Sequence, residues 1–184
     1  MRKLLVLLAS LFAFSAMLFA QTSSSPILPS TEVFAGYTFM NSGLQNYGFD
    51  QENLNGETLQ LSVYLHNNIG VTGEVTRTYG SNVAESGENV SRYTYLFGPT
   101  YSLRTSSVAT PFVHVLFGAD HERLSISYLG DESNNSFAAA FGGGLDVRAA
   151  DHLALRLAQI DYIYTNHSGG EHTFRYSGGV VLRF

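Results

Sequence analysis

Between Glu32 and Phe184 the chain repeatedly alternates, a large apolar residue followed by a small or polar one, and each run stops at a cluster of Gly, Asn, Ser or Asp. A period of two belongs to a β-strand, whose successive side chains leave opposite faces. The runs are EVFAGYTFM (32–40), TLQLSVYLH (58–66), IGVTGEVTRTY (69–79), SRYTYLFGPTYSLR (91–104), FVHVLFGADHE (112–122), FAAAFGGGLDVR (137–148), LALRLAQIDYIY (153–164) and RYSGGVVLRF (175–184). In the seventh the phase slips near Gln159, which predicts a β-bulge there. Pro99 lacks a ladder donor, so a kink or bulge is expected in the fourth run. The last run stops in mid-alternation, on Phe184.

The gaps are sorted by parity. NSGLQNYGFDQENLNG, GSNVAESGENV, RLSISYLGDESNNS and TNHSGGEH are long and polar, whereas NN, TSSVAT and AADH are short. About eight strands with long loops at one end and tight turns at the other is the signature of an up-and-down membrane barrel. A sandwich would not sort its loops in this way. The expected fold is therefore all-β, an eight-stranded antiparallel up-and-down transmembrane β-barrel over 31–184.

The amino terminus predicts an exported protein. MRKLLVLLASLFAFSAMLFAQ sets Arg2 and Lys3 before an apolar run and small residues at its end, the layout of a signal peptide over 1–20. A short polar lead-in over 21–30 follows. Without the signal, eight arginines, no lysine and fifteen acids remain, a net charge of about −7. No basic stripe is left for nucleic acid. Cysteine is absent, which excludes thiolate metal sites and cysteine nucleophiles.

Size decides which face looks inward. An eight-stranded tube is only just wide enough for its own side chains. The greasy faces carry Leu, Phe and Tyr, and the opposite faces Gly, Ala, Ser and Thr with scattered charges, so the greasy faces are expected to meet lipid. Tyr37, Phe39, Tyr79, Tyr93, Tyr162 and Tyr164 then form an aromatic girdle at the long-loop end, with Phe112 and Phe184 at the other.

These patterns resemble the small outer-membrane barrel family, in particular the transmembrane domain of outer membrane protein A and other eight-stranded relatives. The resemblance implies location in the cell outer membrane, contact with its lipid and lipopolysaccharide, and a monomeric state. It also implies that the last strand, with Tyr176, Val180, Leu182 and Phe184, is read as a signal by the barrel-assembly machinery. No peptidoglycan-binding domain follows Phe184, so the wall-tethering role of longer relatives is not carried over.

Charges inside a narrow tube must be paired, because desolvating a lone one is costly. The expected interior network comprises Glu74, Arg104, Asp146, Arg148, Arg156, Asp161, Arg175 and Arg183, with Arg92, His114 and Asp120 on the same faces. Such a network would plug the lumen; the alternative is a narrow pore for ions or small solutes. A lipid-modifying enzyme would need Ser, His and an acid converging on a strand, yet His167 and Ser168 are adjacent in a predicted loop. Glu171 and His172 with His167 form a candidate metal cluster, although Glu–His clusters in loops are more often solvated. FGGGLD is followed by no helix, so its glycines are read as packing features rather than a phosphate site. No catalytic residue, cofactor or metal is expected. The acidic loop residues Asp50, Glu52, Glu57, Glu85, Glu88, Asp131, Glu132 and Glu171 leave a structural or adhesin-like role, through an extracellular ligand or bridging cations.

Overall fold

In a computed structural model of the chain, residues 30–42, 52–66, 68–83, 88–104, 107–126, 130–166 and 170–184 are described. The predicted signal peptide and the lead-in before Ser30 lie outside them. Eight strands run in chain order: β1 (Thr31–Ser42), β2 (Glu52–His66), β3 (Ile69–Val83), β4 (Glu88–Ser102), β5 (Ala109–Ile126), β6 (Gly130–Ala150), β7 (Leu153–Thr165) and β8 (Glu171–Arg183). Each pairs antiparallel with its chain neighbour, and β8 returns to β1 to close the barrel. Closure ties the end of the chain to its start: Phe184 N–H donates to Thr31 O at 2.8 Å and Thr31 N–H to Phe184 O at 3.2 Å.

The greasy faces point outward. Leu59, Phe97, Phe117, Phe141, Leu157 and Phe174 are each at least half exposed on the barrel wall, a surface that water would penalise and hydrocarbon accommodates. A closed ladder leaves no sheet edge open to hydrocarbon, which is the condition for spanning lipid with strands.

The interior is bulkier than a small-residue lining. Phe34, Met40, Leu54, Leu96, Phe112, Leu116, Ile163 and Val181 all point inward and are buried. Phe112 is thus not part of a girdle. It shares the inward parity of His114, two residues on. The bulge expected in β7 near Gln159 is present: Leu157 and Ala158 are both exposed, and Gln159 resumes the inward face. At Pro99 no register shift occurs. Val71 pairs with Pro99 on one side, while towards β5 the ladder skips Gly98 and Pro99 and resumes in unchanged register at Thr100 and His114. Skipping two pairs absorbs the missing N–H without an inserted residue.

The strands extend beyond the apolar runs at the long-loop end. About 9–11 tilted residues cross a bilayer, whereas β5 has 18 and β6 has 21. Much of the predicted third long loop is therefore a hairpin.

Candidate functional site

Cross-strand pairing assembles the centre of the lumen. His114, Gly142, Asp161 and Arg175 occupy one row across β5, β6, β7 and β8. Gly142 belongs there for a steric reason. A Cβ at that position would collide with Asp161 Oδ1 and lie 2.6 Å from the Ile160 carbonyl. Its absence lets the Asp161 carboxylate accept from His114 Nε2 at 2.8 Å and from Arg175 Nη2 at 2.6 Å. The same Nη2 lies 2.5 Å from Glu74 Oε1. Glu74 on β3 and Asp161 on β7 stand on opposite walls of an eight-stranded ring, so Arg175 bridges the bore.

Neutral side chains complete this layer. Gln60 Nε2 donates to Glu74 and, at 3.2 Å, to Gln159 Oε1. Gln159 Nε2 donates to Asp161 Oδ2 at 2.8 Å. A belt of hydroxyls, Ser177, Thr38, Thr58 and Thr76, crosses β8, β1, β2 and β3 with spacings of 2.9, 2.5 and 2.9 Å. It ends where Arg175 Nη1 donates to Thr76 Oγ1 at 2.8 Å.

Towards the short turns lies a second charged layer. Arg156 donates through Nε and Nη2 to the two oxygens of Asp146 at 2.8 and 3.1 Å. Its guanidinium lies 4.3 Å from the Phe34 ring centroid and 4.1 Å from that of Phe112, which covers its faces while its edge makes the ion pair. Its Nη1 donates to Gln60 Oε1 at 2.6 Å and Gln159 Oε1 at 2.7 Å, joining the two layers. Glu32 takes Arg183 at 3.1 Å and Arg104 at 3.5 Å, and Arg104 lies 4.0 Å over the Tyr64 ring.

Towards the long loops the filling changes. Leu96, Leu116, Ala138, Ala140 and Ile163 form an apolar layer. Beyond it Arg92 Nε donates to both oxygens of Asp120 at 2.8 Å, and Thr94 Oγ1 donates to Asp120 Oδ1 at 2.8 Å. Among the described residues, five carboxylates and five guanidiniums are buried: Glu32, Glu74, Asp120, Asp146 and Asp161 with Arg92, Arg104, Arg156, Arg175 and Arg183. In formal charge these five acids and five arginines balance.

Of the network residues expected from sequence, Glu74, Arg104, Asp146, Arg156, Asp161, Arg175 and Arg183 sit in these layers. Arg148 does not. It shares a row with Ala154 but stands exposed near the end of β6. Glu32, Gln60 and Gln159 were missed. Their parity marked them as inward, but Glu32 opens its run and the glutamines carry no charge. Tyr176, Val180, Leu182 and Phe184 are exposed on the outer wall.

At the rim, Asp50, Glu85, His167 and Ser168 lie outside the described residues. Glu52, Glu88, Asp131, Glu132 and Glu171 fall within strands, and exposed Glu57 lies 3.6 Å from Arg77. His172 Nδ1 is hydrogen-bonded to Tyr162 Oη at 2.5 Å and its ring stacks on that tyrosine. No group of three metal-ligating side chains occurs among the described residues.

Comparison with known proteins places this barrel. The family described as "Outer membrane protein beta-barrel domain" matches residues 6–184. No curated protein matches the chain. Among solved structures, the attachment invasion locus protein of Yersinia pestis is similar at 19% identity and TM-score 0.63, covering 86% of this chain and 100% of that one. That protein was also solved with the heparin analogue sucrose octasulfate. Neisserial surface protein A is similar at 14% identity and TM-score 0.67, covering 84% and 97%. Outer membrane protein OprG of Pseudomonas aeruginosa is similar at 11% identity and TM-score 0.57, covering 85% and 96%.

Proposed function

The chain belongs to the outer membrane protein β-barrel family, and from that premise we propose that it acts through its long-loop rim rather than its bore, as a structural or adhesin-like surface protein without a catalytic step. The observation that carries this reading is Arg175, wholly buried and bridging carboxylates on opposite walls. A solute would have to break that bridge, strip charges in a low-dielectric tube and then pass the Leu96–Leu116–Ile163 layer. Residues 1–20 serve as the export signal. Tyr176, Val180, Leu182 and Phe184 serve as the assembly signal, and the mature barrel stands as a monomer among lipopolysaccharide.

Likeness to an attachment protein supports a surface role, but the ligand class differs. A polysulfated sugar is anionic, and the rim here carries the acids Glu52, Glu57, Glu88, Asp131, Glu132 and Glu171. Cationic partners suit it better. The test is conductance of the refolded protein in a planar bilayer. A sealed baseline is expected across the voltage range that the bilayer withstands. Unitary steps from the wild-type barrel would overturn the reading and establish a narrow pore.

A further inference from the structure

The rim is not level, and its unevenness leaves one strand edge open. The last β6–β7 ladder pair is Ala138 with Thr165, whereas β6 continues to Gly130, paired all the way with β5. Eight residues, Gly130–Phe137, therefore extend past β7 with only one side of the strand in a ladder. At two less uneven junctions, β2 and β3 part at Asn55 and Tyr79 with β3 running only four residues further, and β8 runs only three residues past its last pair with β1 at Phe174.

Backbone direction follows from one bond. Asn166 N–H donates to Phe137 O at 3.0 Å, so Phe137 directs its backbone groups towards β7. In an antiparallel ladder alternate residues face the same side, which puts the N–H and C=O groups of Asp131, Ser133 and Asn135 on the open edge. Among the described residues no strand pairs with them. Asp131 lies about 20 Å up the strand from Phe137.

We propose that this edge of β6 is a docking site for an extended, lysine- or arginine-bearing segment of another protein, which adds to the barrel wall as a further strand. Main-chain hydrogen bonds to an exposed edge give such binding its affinity, and flanking charge selects the partner. The segment itself carries Asp131 and Glu132, and the rim around it is acidic. A second copy of this chain would bring like charge to the same edge, the device by which sheet proteins discourage self-pairing. A basic strand meets no such repulsion. The proposal deepens the surface role above and rests on it.

The probe is a blocked eight-residue peptide alternating lysine and threonine, added to the refolded barrel in lipid nanodiscs. Saturable binding is expected, with no binding of the glutamate–threonine counterpart. Ser133→Pro removes an open-edge donor without touching the β5 ladder and should weaken binding at least tenfold at constant salt. Independently of any variant, the same peptide N-methylated at every residue, so that neither edge can donate, should fail to bind the wild type. Equal binding by Ser133→Pro and by the N-methylated peptide would reduce the effect to charge alone and overturn the proposal. Failure of the lysine peptide to bind wild type would also overturn it. So would self-association of the wild type that Ser133→Pro abolishes, since the occupant would then be a second copy. A sealed barrel that binds no peptide refutes only this proposal, whereas a conducting barrel refutes the surface role whatever the peptide does.

Discussion

Around Arg175 the lumen is filled by ions and amides; two residues along each strand towards the long loops, around Leu116, it is filled by methyl groups. Both layers stop the bore, yet they impose different demands. In the ionic layer every donor must meet an acceptor, and loss of one partner strands the others in low dielectric. In the apolar layer only volume must be matched, and neighbours can partly collapse into a gap. The ionic layer also couples distant strands, since Arg175 alone touches β3 and β7 from β8. It specifies which strands face one another across the tube. The apolar layer specifies little beyond fullness.

The largest effect is expected at Arg175→Met. Removal of the guanidinium leaves Glu74 and Asp161 buried without their cation, a loss of about 3–5 kcal/mol. It should appear as a lowered urea midpoint for loss of heat-modifiable gel migration. Adding Glu74→Gln and Asp161→Asn to that variant should recover more than half of the loss, because no charge then remains unpaired. Failure to recover would mean that packing around Arg175, not charge, sets the cost.

Leu116→Ala is the counterpart in the apolar layer. Leu116 is wholly buried beside Ala138, Ala140 and Ile163, and its truncation should cost about 2–3 kcal/mol. Leu116→Met should cost less than about 1.5 kcal/mol, since volume is kept. No comparable conservative exchange exists for Arg175: Arg175→Lys keeps the charge but cannot reach two walls and Thr76 together. If Arg175→Lys proves as mild as Leu116→Met in the same urea titration, the two layers do not differ in the way described.

These layers were legible in the sequence to different depths. Alternation gave away the strands and the inward parity of Glu74, Asp161 and Arg175, because every second residue of a strand shares a face. Their pairing was hidden, for which strands meet across the bore depends on register and tilt, and neither leaves a mark on a single strand. Gly142 was readable as a packing glycine, but the carboxylate it makes room for sits on another strand. Arg148 was misplaced because parity gives direction and not nearness to the strand end, whereas Phe112 was assigned to the outer wall against its own parity, which it shares with the inward His114. The first third of β6, residues 130–136, was read as a loop. GDESNNS holds no large apolar residue, so it carries no alternation to see.

The smallest effect belongs to the outer wall, where the same chemistry recurs in another medium. Arg77 lies 3.6 Å from Glu57, both side chains at least half exposed, and 5.6 Å from the Tyr93 ring centroid. Directly below them on the same strands come Leu59, Val75 and Tyr95, so the pair stands at the upper margin of the apolar wall. If that margin is the headgroup region, water screens the pair, and Arg77→Ala should shift the urea midpoint by less than about 1 kcal/mol, less still at high salt. The contrast with Arg175 then measures what burial adds to an arginine–carboxylate contact within one protein. A cost for Arg77→Ala approaching that of Arg175→Met, insensitive to salt, would put the row inside the hydrocarbon. The membrane would then reach further up the wall than the tyrosines imply, and less of β6 would stand clear of it.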